Sequence, residues 1–287
     1  MDRKKITLPE LQTKKVKGQP ITMLTAYDYP MALAVDHAGI DMILVGDSMG
    51  MVVLGYTSTV PVTMDHIVTA CQAVARGAQY AFLVGDMPFM SYQADVPDAI
   101  RNAGRIMKEG SMDAVKLEGG SEMARTVRAI ADAGIPVMGH IGLTPQSISR
   151  LGGYRTQGAS AAAARKLLED AVALEEAGCF SIVLEKIPDR VAELITRRLS
   201  IPTIGIGAGV HCDGQVLVTH DLLGLFDRFL PKFAKQYVQL HAAMAQAFGE
   251  YKRDVLTRAF PAAEHSFPIG DEEYNQLLRS LGEAGGR

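Results

Sequence analysis

Seven short, continuous apolar runs separated by longer amphipathic stretches constrain this chain more than any other feature: 21–25, 42–45, 81–84, 114–117, 136–139, 181–184 and 202–206. A run without apolar/polar alternation reads as a strand buried on both faces, as in a parallel sheet covered by helices. The intervening stretches 64–76, 97–108, 121–133, 159–177 and 188–199 read as helices, and several stop at a glycine (Gly77, Gly110, Gly134, Gly178) suited to a left-handed helix cap. Repeated βα units predict an α/β fold, a single-domain (β/α)8 TIM barrel, with a doubly wound open sheet as the alternative. The eighth strand is the least defined; it is expected at 216–219, although 213–220 also reads as a short helix.

A length of 287 residues suits one barrel, which needs about 250. Residues 1–267 are expected to form the barrel domain with an N-terminal extension and closing helices in 232–260, and 268–287 a surface tail. At 48% hydrophobic and 21% charged residues the chain has material for a large core and is unlike a disordered one. Net charge is −3 with Lys and Arg scattered, which argues against a nucleic-acid partner. The basic residues Arg3, Lys4, Lys5, Lys14, Lys15 and Lys17 read as a solvated N-terminal helix or arm. Cys71, Cys179 and Cys212 make neither a C-x-x-C motif nor an even disulfide framework, which fits a reducing compartment. No leader pattern opens the chain, and no run approaches the ~18 apolar residues that span a bilayer. A cytoplasmic protein without membrane contact is expected.

Polar residues cluster where the apolar runs stop: Asp47 and Ser48 after the second, Asp86 after the third, Lys116 and Glu118 around the end of the fourth, His140 after the fifth and Glu185 after the sixth. In barrel enzymes the C-terminal strand ends converge on one mouth and supply the catalytic groups. Helix capping or turn formation accounts for an isolated Asp or Ser at such a place. It does not account for Glu185 or Lys116, whose charges are expensive to bury unless paired. Asp47, Asp86 and Glu118 are hard oxygen donors without a thiolate or His pair beside them, a set that suits Mg²⁺ better than Zn²⁺. Magnesium takes one or two direct carboxylates and keeps waters, so not all three need touch the ion. Lys116 and Glu118 share a strand face; the flanking carboxylates favour an ionic role for the lysine, toward a substrate carboxylate, over Schiff-base chemistry. His140 reads either as a donor to substrate or as a satisfied interior residue. Gly205, Gly207 and Gly209 lack the dinucleotide spacing and are expected to allow close backbone approach to a ligand.

Several segments together resemble the ketopantoate hydroxymethyltransferase family: Thr25-Ala-Tyr-Asp28, Val45-Gly-Asp-Ser-Met-Gly-Met51, Gly85-Asp-Met-Pro-Phe89, Val115-Lys-Leu-Glu-Gly-Gly120, Gly139-His-Ile-Gly-Leu-Thr-Pro-Gln146, Gly152-Gly-Tyr154, Leu184-Glu185, Gly205-Ile-Gly-Ala-Gly209 and Glu264-His-Ser-Phe267. They run in family order across most of the chain. The resemblance implies Mg²⁺-dependent enolate chemistry that moves a one-carbon unit from 5,10-methylenetetrahydrofolate to 3-methyl-2-oxobutanoate, giving 2-dehydropantoate, the first step of pantothenate synthesis. It further implies that Asp47 and Asp86 bind the metal with Glu118 in its shell, that Ser48 and Lys116 contact the oxo acid, that Glu185 is the acid/base residue, and that the chain assembles as a homodecamer. The nearest rival is a Mg²⁺-dependent 2-oxo-acid enzyme resembling isocitrate lyase or phosphoenolpyruvate mutase. Those carry a lysine-cysteine-glycine-histidine loop or an Asp-x-Asp pair, whereas Gly119 follows Glu118 and Met87 follows Asp86 here. A noncatalytic folate or oxo-acid binding protein is the second rival; its binding would survive metal removal.

Overall fold

Eight parallel strands close into a barrel in sequence order: β1 (Ile21–Thr25), β2 (Met42–Val45), β3 (Phe82–Asp86), β4 (Ala114–Glu118), β5 (Val137–Gly142), β6 (Cys179–Glu185), β7 (Thr203–Ile206) and β8 (Gly214–Leu217). This computed structural model describes residues 3–153, 155–226 and 229–283, without the side chains of Arg150 and Leu151; Tyr154 and the last four residues of the expected tail lie outside that set. The chain divides into two compact units, Met1–Val238 with the barrel and Gln239–Arg287. The second unit holds helices Leu240–Leu256 and Asp271–Ser280, neither with a buried residue. Closing helices expected over 232–260 are thus confined to Leu240–Leu256, and part of the expected tail is helical.

Alternation along each strand builds two apolar layers. Met42, Leu44, Phe82, Val84, Met138, Ile204 and Val216 fill the barrel, while Ile43, Val45, Leu83, Val115, Leu117, Ile182 and Leu184 pack outward beneath the helices. Strands β2 to β7 are therefore buried on both faces, which is why the sequence shows continuous runs. On β6 the alternation is reset. Cys179 pairs with Val137 and Ser181 with Met138, leaving Phe180 as an extra residue. That bulge keeps Phe180 and Val183 both inside and carries the inward parity on to Glu185.

The eighth strand lies two residues earlier than expected. Gly214 to Leu217 pair with β1, and Gly214 and Gln215 with β7, closing the ring, after which Thr219–Leu222 is a short helix. A side chain at Gly214 would stand 2.5 Å from the Ile21 carbonyl, so glycine is what lets β8 reach β1. Of the four predicted glycine caps, Gly134 and Gly178 do take positive φ (+85° and +103°). Gly77 and Gly110 do not; they give room for close packing, a Cβ at either meeting a backbone oxygen, of Tyr29 or Ile106, at 2.6 Å.

The N-terminal basic residues are less solvated than expected. Helix Leu8–Val16 places Leu11 in the barrel's inner cluster, at 1% exposure. Lys5, Lys14 and Lys15 pair with Asp113, Asp41 and Asp213 at 2.6–2.7 Å. Each of those aspartates immediately precedes a strand and also accepts a backbone N–H from a neighbouring strand, from Leu83, Thr22 or Thr203, at 2.8 Å. The extension thus seals the barrel end opposite the predicted mouth. All three cysteines are free thiols. Among the described residues no helix is long and apolar enough to cross a membrane.

Candidate active site

Asp47, Ser48, Asp86, Lys116, Glu118, His140 and Glu185 all line one cavity of about 760 Å³ at the C-terminal ends of the strands. Parity places most of them: Asp86 continues the inward series of Phe82 and Val84, Lys116 and Glu118 that of Ala114, and His140 that of Met138. Ser48, which precedes the short helix Met49–Val52, caps nothing with its side chain; its Oγ lies 2.8 Å from the Tyr27 hydroxyl.

Charges in this cavity are compensated by one another. Lys116 Nζ stands 2.8 Å from Asp86 Oδ1 and 3.3 Å from His140 Nδ1. Burial opposes the lysine's charge, but Asp86, Glu118 and Asp47 outweigh it and push its pKa above the ordinary value. A Schiff-base lysine needs the opposite shift. Burial raises the Asp47 carboxyl well above the usual range, reinforced by Asp86 and Glu118; burial raises Asp86 too, against the pull of Lys116. His140 bridges two carboxylates, with Nδ1 3.4 Å from Glu118 Oε1 and Nε2 3.2 Å from Glu185 Oε2. Burial and Lys116 oppose its protonation, yet the contacts to Glu118 and Glu185 push the imidazole up to about 9.

Three further residues complete the site. Gln146 joins two of its carboxylates: its side-chain amide donates to Asp47 Oδ2 and to the Met87 carbonyl, each at 2.9 Å, and its backbone N–H donates to Glu118 Oε2 at 3.1 Å. Tyr92 orients it, donating its hydroxyl to Gln146 Oε1 at 2.7 Å, so the NH₂ must face Asp47. Gln146 closes one of the recognised motifs, but an amide beyond a strand end carries no charge signal. Asp221 lines the same cavity from beyond β8, the strand with the weakest sequence signal. The glycine-rich segment departs from expectation: Gly205, Gly207 and Gly209 are approached by protein side chains, a Cβ there meeting Cys212 at 2.9 Å, Phe233 at 2.7 Å and Asp189 at 2.5 Å.

Among the described residues no three His, Cys, Asp or Glu side chains converge as a preformed metal cage. The donors nevertheless suit a hard cation that keeps waters. Asp86 Oδ1 is fully buried and accepts no aligned hydrogen bond, because Lys116 approaches it off the bonding direction. A buried carboxylate oxygen of that kind wants a further positive partner.

The ketopantoate hydroxymethyltransferase family model matches residues 5–263. The chain belongs to that family. A ketopantoate hydroxymethyltransferase relative from Moorella thermoacetica, named 3-methyl-2-oxobutanoate hydroxymethyltransferase, is 60% identical over 92% of this chain and 98% of its own length. Another of that name from Heliobacterium modesticaldum is 58% identical over 94% and 98%. Among solved structures, phosphonopyruvate hydrolase in complex with oxalate and Mg²⁺ covers 96% of this chain and 98% of its own, with a TM-score of 0.61 at 12% identity. A 2,3-dimethylmalate lyase of the phosphoenolpyruvate mutase/isocitrate lyase superfamily covers 96% of each chain, with a TM-score of 0.60 at 13% identity. At such identity these two share the fold alone, so the rival reading extends no further than the barrel of this ketopantoate hydroxymethyltransferase family member.

Proposed function

We propose that this chain transfers a hydroxymethyl group from 5,10-methylenetetrahydrofolate to 3-methyl-2-oxobutanoate, forming 2-dehydropantoate in the first step of pantothenate synthesis. The observation that carries the reading is the buried group of Asp47, Asp86 and Glu118 around the Lys116 ammonium, one histidine away from Glu185, in a member of this family. Asp47 and Asp86 would hold Mg²⁺, with Glu118, engaged by Gln146 and His140, belonging to its surroundings. Bound there, the ion supplies Lewis-acid polarisation of the 2-oxo group. Lys116 and Ser48 bind and orient the oxo acid. Glu185, with the His140 ring 3.2 Å from its Oε2, takes the proton from C3. C3 then bonds to the methylene carbon, whose two bonds to folate nitrogens break. Water supplies the product hydroxyl, and its other proton together with the one from C3 returns to those nitrogens.

Catalysis belongs to the barrel unit in this reading. Homodecameric assembly and a cytoplasmic setting are part of the same proposal. Met244, Phe248, Tyr251 and Val255 on helix Leu240–Leu256 are all exposed, apolar surface of the kind a self-assembling chain covers.

Turnover of both substrates with Mg²⁺, and again after chelation, followed by mass spectrometry, tests the reaction. Chelator-sensitive formation of 2-dehydropantoate and tetrahydrofolate is the expected result; product formed equally without metal removes the metal's role, and no product under either condition removes the reaction. A second prediction concerns Gln146, which fixes how Asp47 and Glu118 are presented. Gln146→Leu should weaken Mg²⁺ binding by about 10–100-fold, the usual effect of losing a hydrogen-bond partner behind a metal ligand. Titration calorimetry on the metal-free protein measures it, and Mg²⁺ affinity within threefold of wild type would deny Gln146 that role.

A further inference from the structure

The Asp221 carboxylate is out of place unless something absent from the protein meets it. It is 7% exposed and lines the reaction cavity, yet among the described residues its side chain makes no hydrogen bond or ion pair. Burial alone, with no compensating partner, raises its carboxyl to about 6. The residue is held firmly: the neighbouring Thr219 N–H donates to Thr25 Oγ1 at 3.0 Å and the Thr219 hydroxyl to the Thr25 carbonyl at 2.5 Å. A buried carboxylate without a partner is costly, and an acceptor-only group needs donors.

Ligand chemistry narrows what can supply them. The oxo acid is an anion with acceptors only, so Asp221 repels it, and the same holds for folate's glutamate tail. The cavity, about 760 Å³, is of a size that takes a drug-sized molecule and leaves most of its space open once a five-carbon acid is bound. Val216, Val218, Phe226 and Phe233 line it along with Asp221, offering apolar surface to a flat ring. Of the two co-substrates only the folate brings a pair of adjacent N–H donors matched to a carboxylate.

We propose that Asp221 recognises the pterin ring of the folate co-substrate, accepting hydrogen bonds from its N3–H and 2-amino group. This assignment rests on the functional reading above and adds the residue that selects the one-carbon donor. Hydrogen bonds to a charged group are strong enough that their loss costs about 10–100-fold in affinity. Calorimetry should therefore show tetrahydrofolate binding weakened by that factor in Asp221→Ala and Asp221→Asn, with the KM for the oxo acid moving less than twofold. A 2-desamino analogue of tetrahydrofolate should bind wild type about tenfold more weakly than tetrahydrofolate itself, losing one of the two bonds. Asp221→Ala should bind the two ligands equally. Wild-type binding that Asp221→Ala leaves intact, or an analogue penalty that persists in the variant, overturns the inference alone. A wild-type protein that does not bind tetrahydrofolate overturns the functional reading with it.

Discussion

Glu185→Gln is expected to lower kcat by about 10²–10⁴-fold, the usual contribution of a positioned general base, and to stop deuterium exchange at C3 of 3-methyl-2-oxobutanoate. Glutamine keeps the length and shape of the side chain and can still meet His140, which stands 3.2 Å from Glu185 Oε2, so the loss would be of proton transfer rather than of packing. Exchange needs no folate and therefore isolates this step. Nuclear magnetic resonance of the oxo acid in D₂O reads it directly; exchange at the wild-type rate in the variant would assign the base elsewhere.

Lys116→Met should be nearly as severe. The lysine is 3% exposed and is the cation nearest Asp86, with Asp47 and Glu118 also acting on it. Removing one partner of a buried pair leaves the other uncompensated, at a cost of about 3–5 kcal/mol, which converts to a loss of about 10²–10⁴-fold. The loss should fall on kcat/KM for the oxo acid, whose carboxylate loses its counter-charge together with the carboxylates of the site. Arginine should not restore activity, since its fork is larger and differently shaped than an ammonium. Steady-state kinetics of the Met and Arg variants test this, and a kcat/KM within threefold of wild type in Lys116→Met would show that the ammonium is dispensable.

Much of this architecture is legible along the chain because a barrel strand is apolar on both faces and its helix is not, so the βα period survives as a one-dimensional pattern. Seven of the eight strands follow from it, as does the set Asp47, Ser48, Asp86, Lys116, Glu118, His140 and Glu185, since a polar or charged residue ending an apolar run is conspicuous. The eighth strand was harder: β8 is four residues long, alternates buried with more exposed positions and begins on a glycine, so its only strong signal is pairing with β1 and β7. Asp221 follows that strand and is hidden with it.

The α/β class, the succession of βα units along the chain and the charged groups at the strand ends are thus written in local sequence, where hydrophobic periodicity and single charges are visible within a few residues, whereas closure into a barrel rather than an open sheet rests on the pairing of β8 with β1 and β7. Contacts between residues far apart in the chain supplied the remainder. The bulge at Phe180 turns Glu185 inward, Lys5, Lys14 and Lys15 find aspartates up to 198 positions away, and Gln146 reaches Asp47 across 99. Such partners are chosen by where the closed barrel brings backbone and side chains together, and no window of sequence contains both halves of the pair.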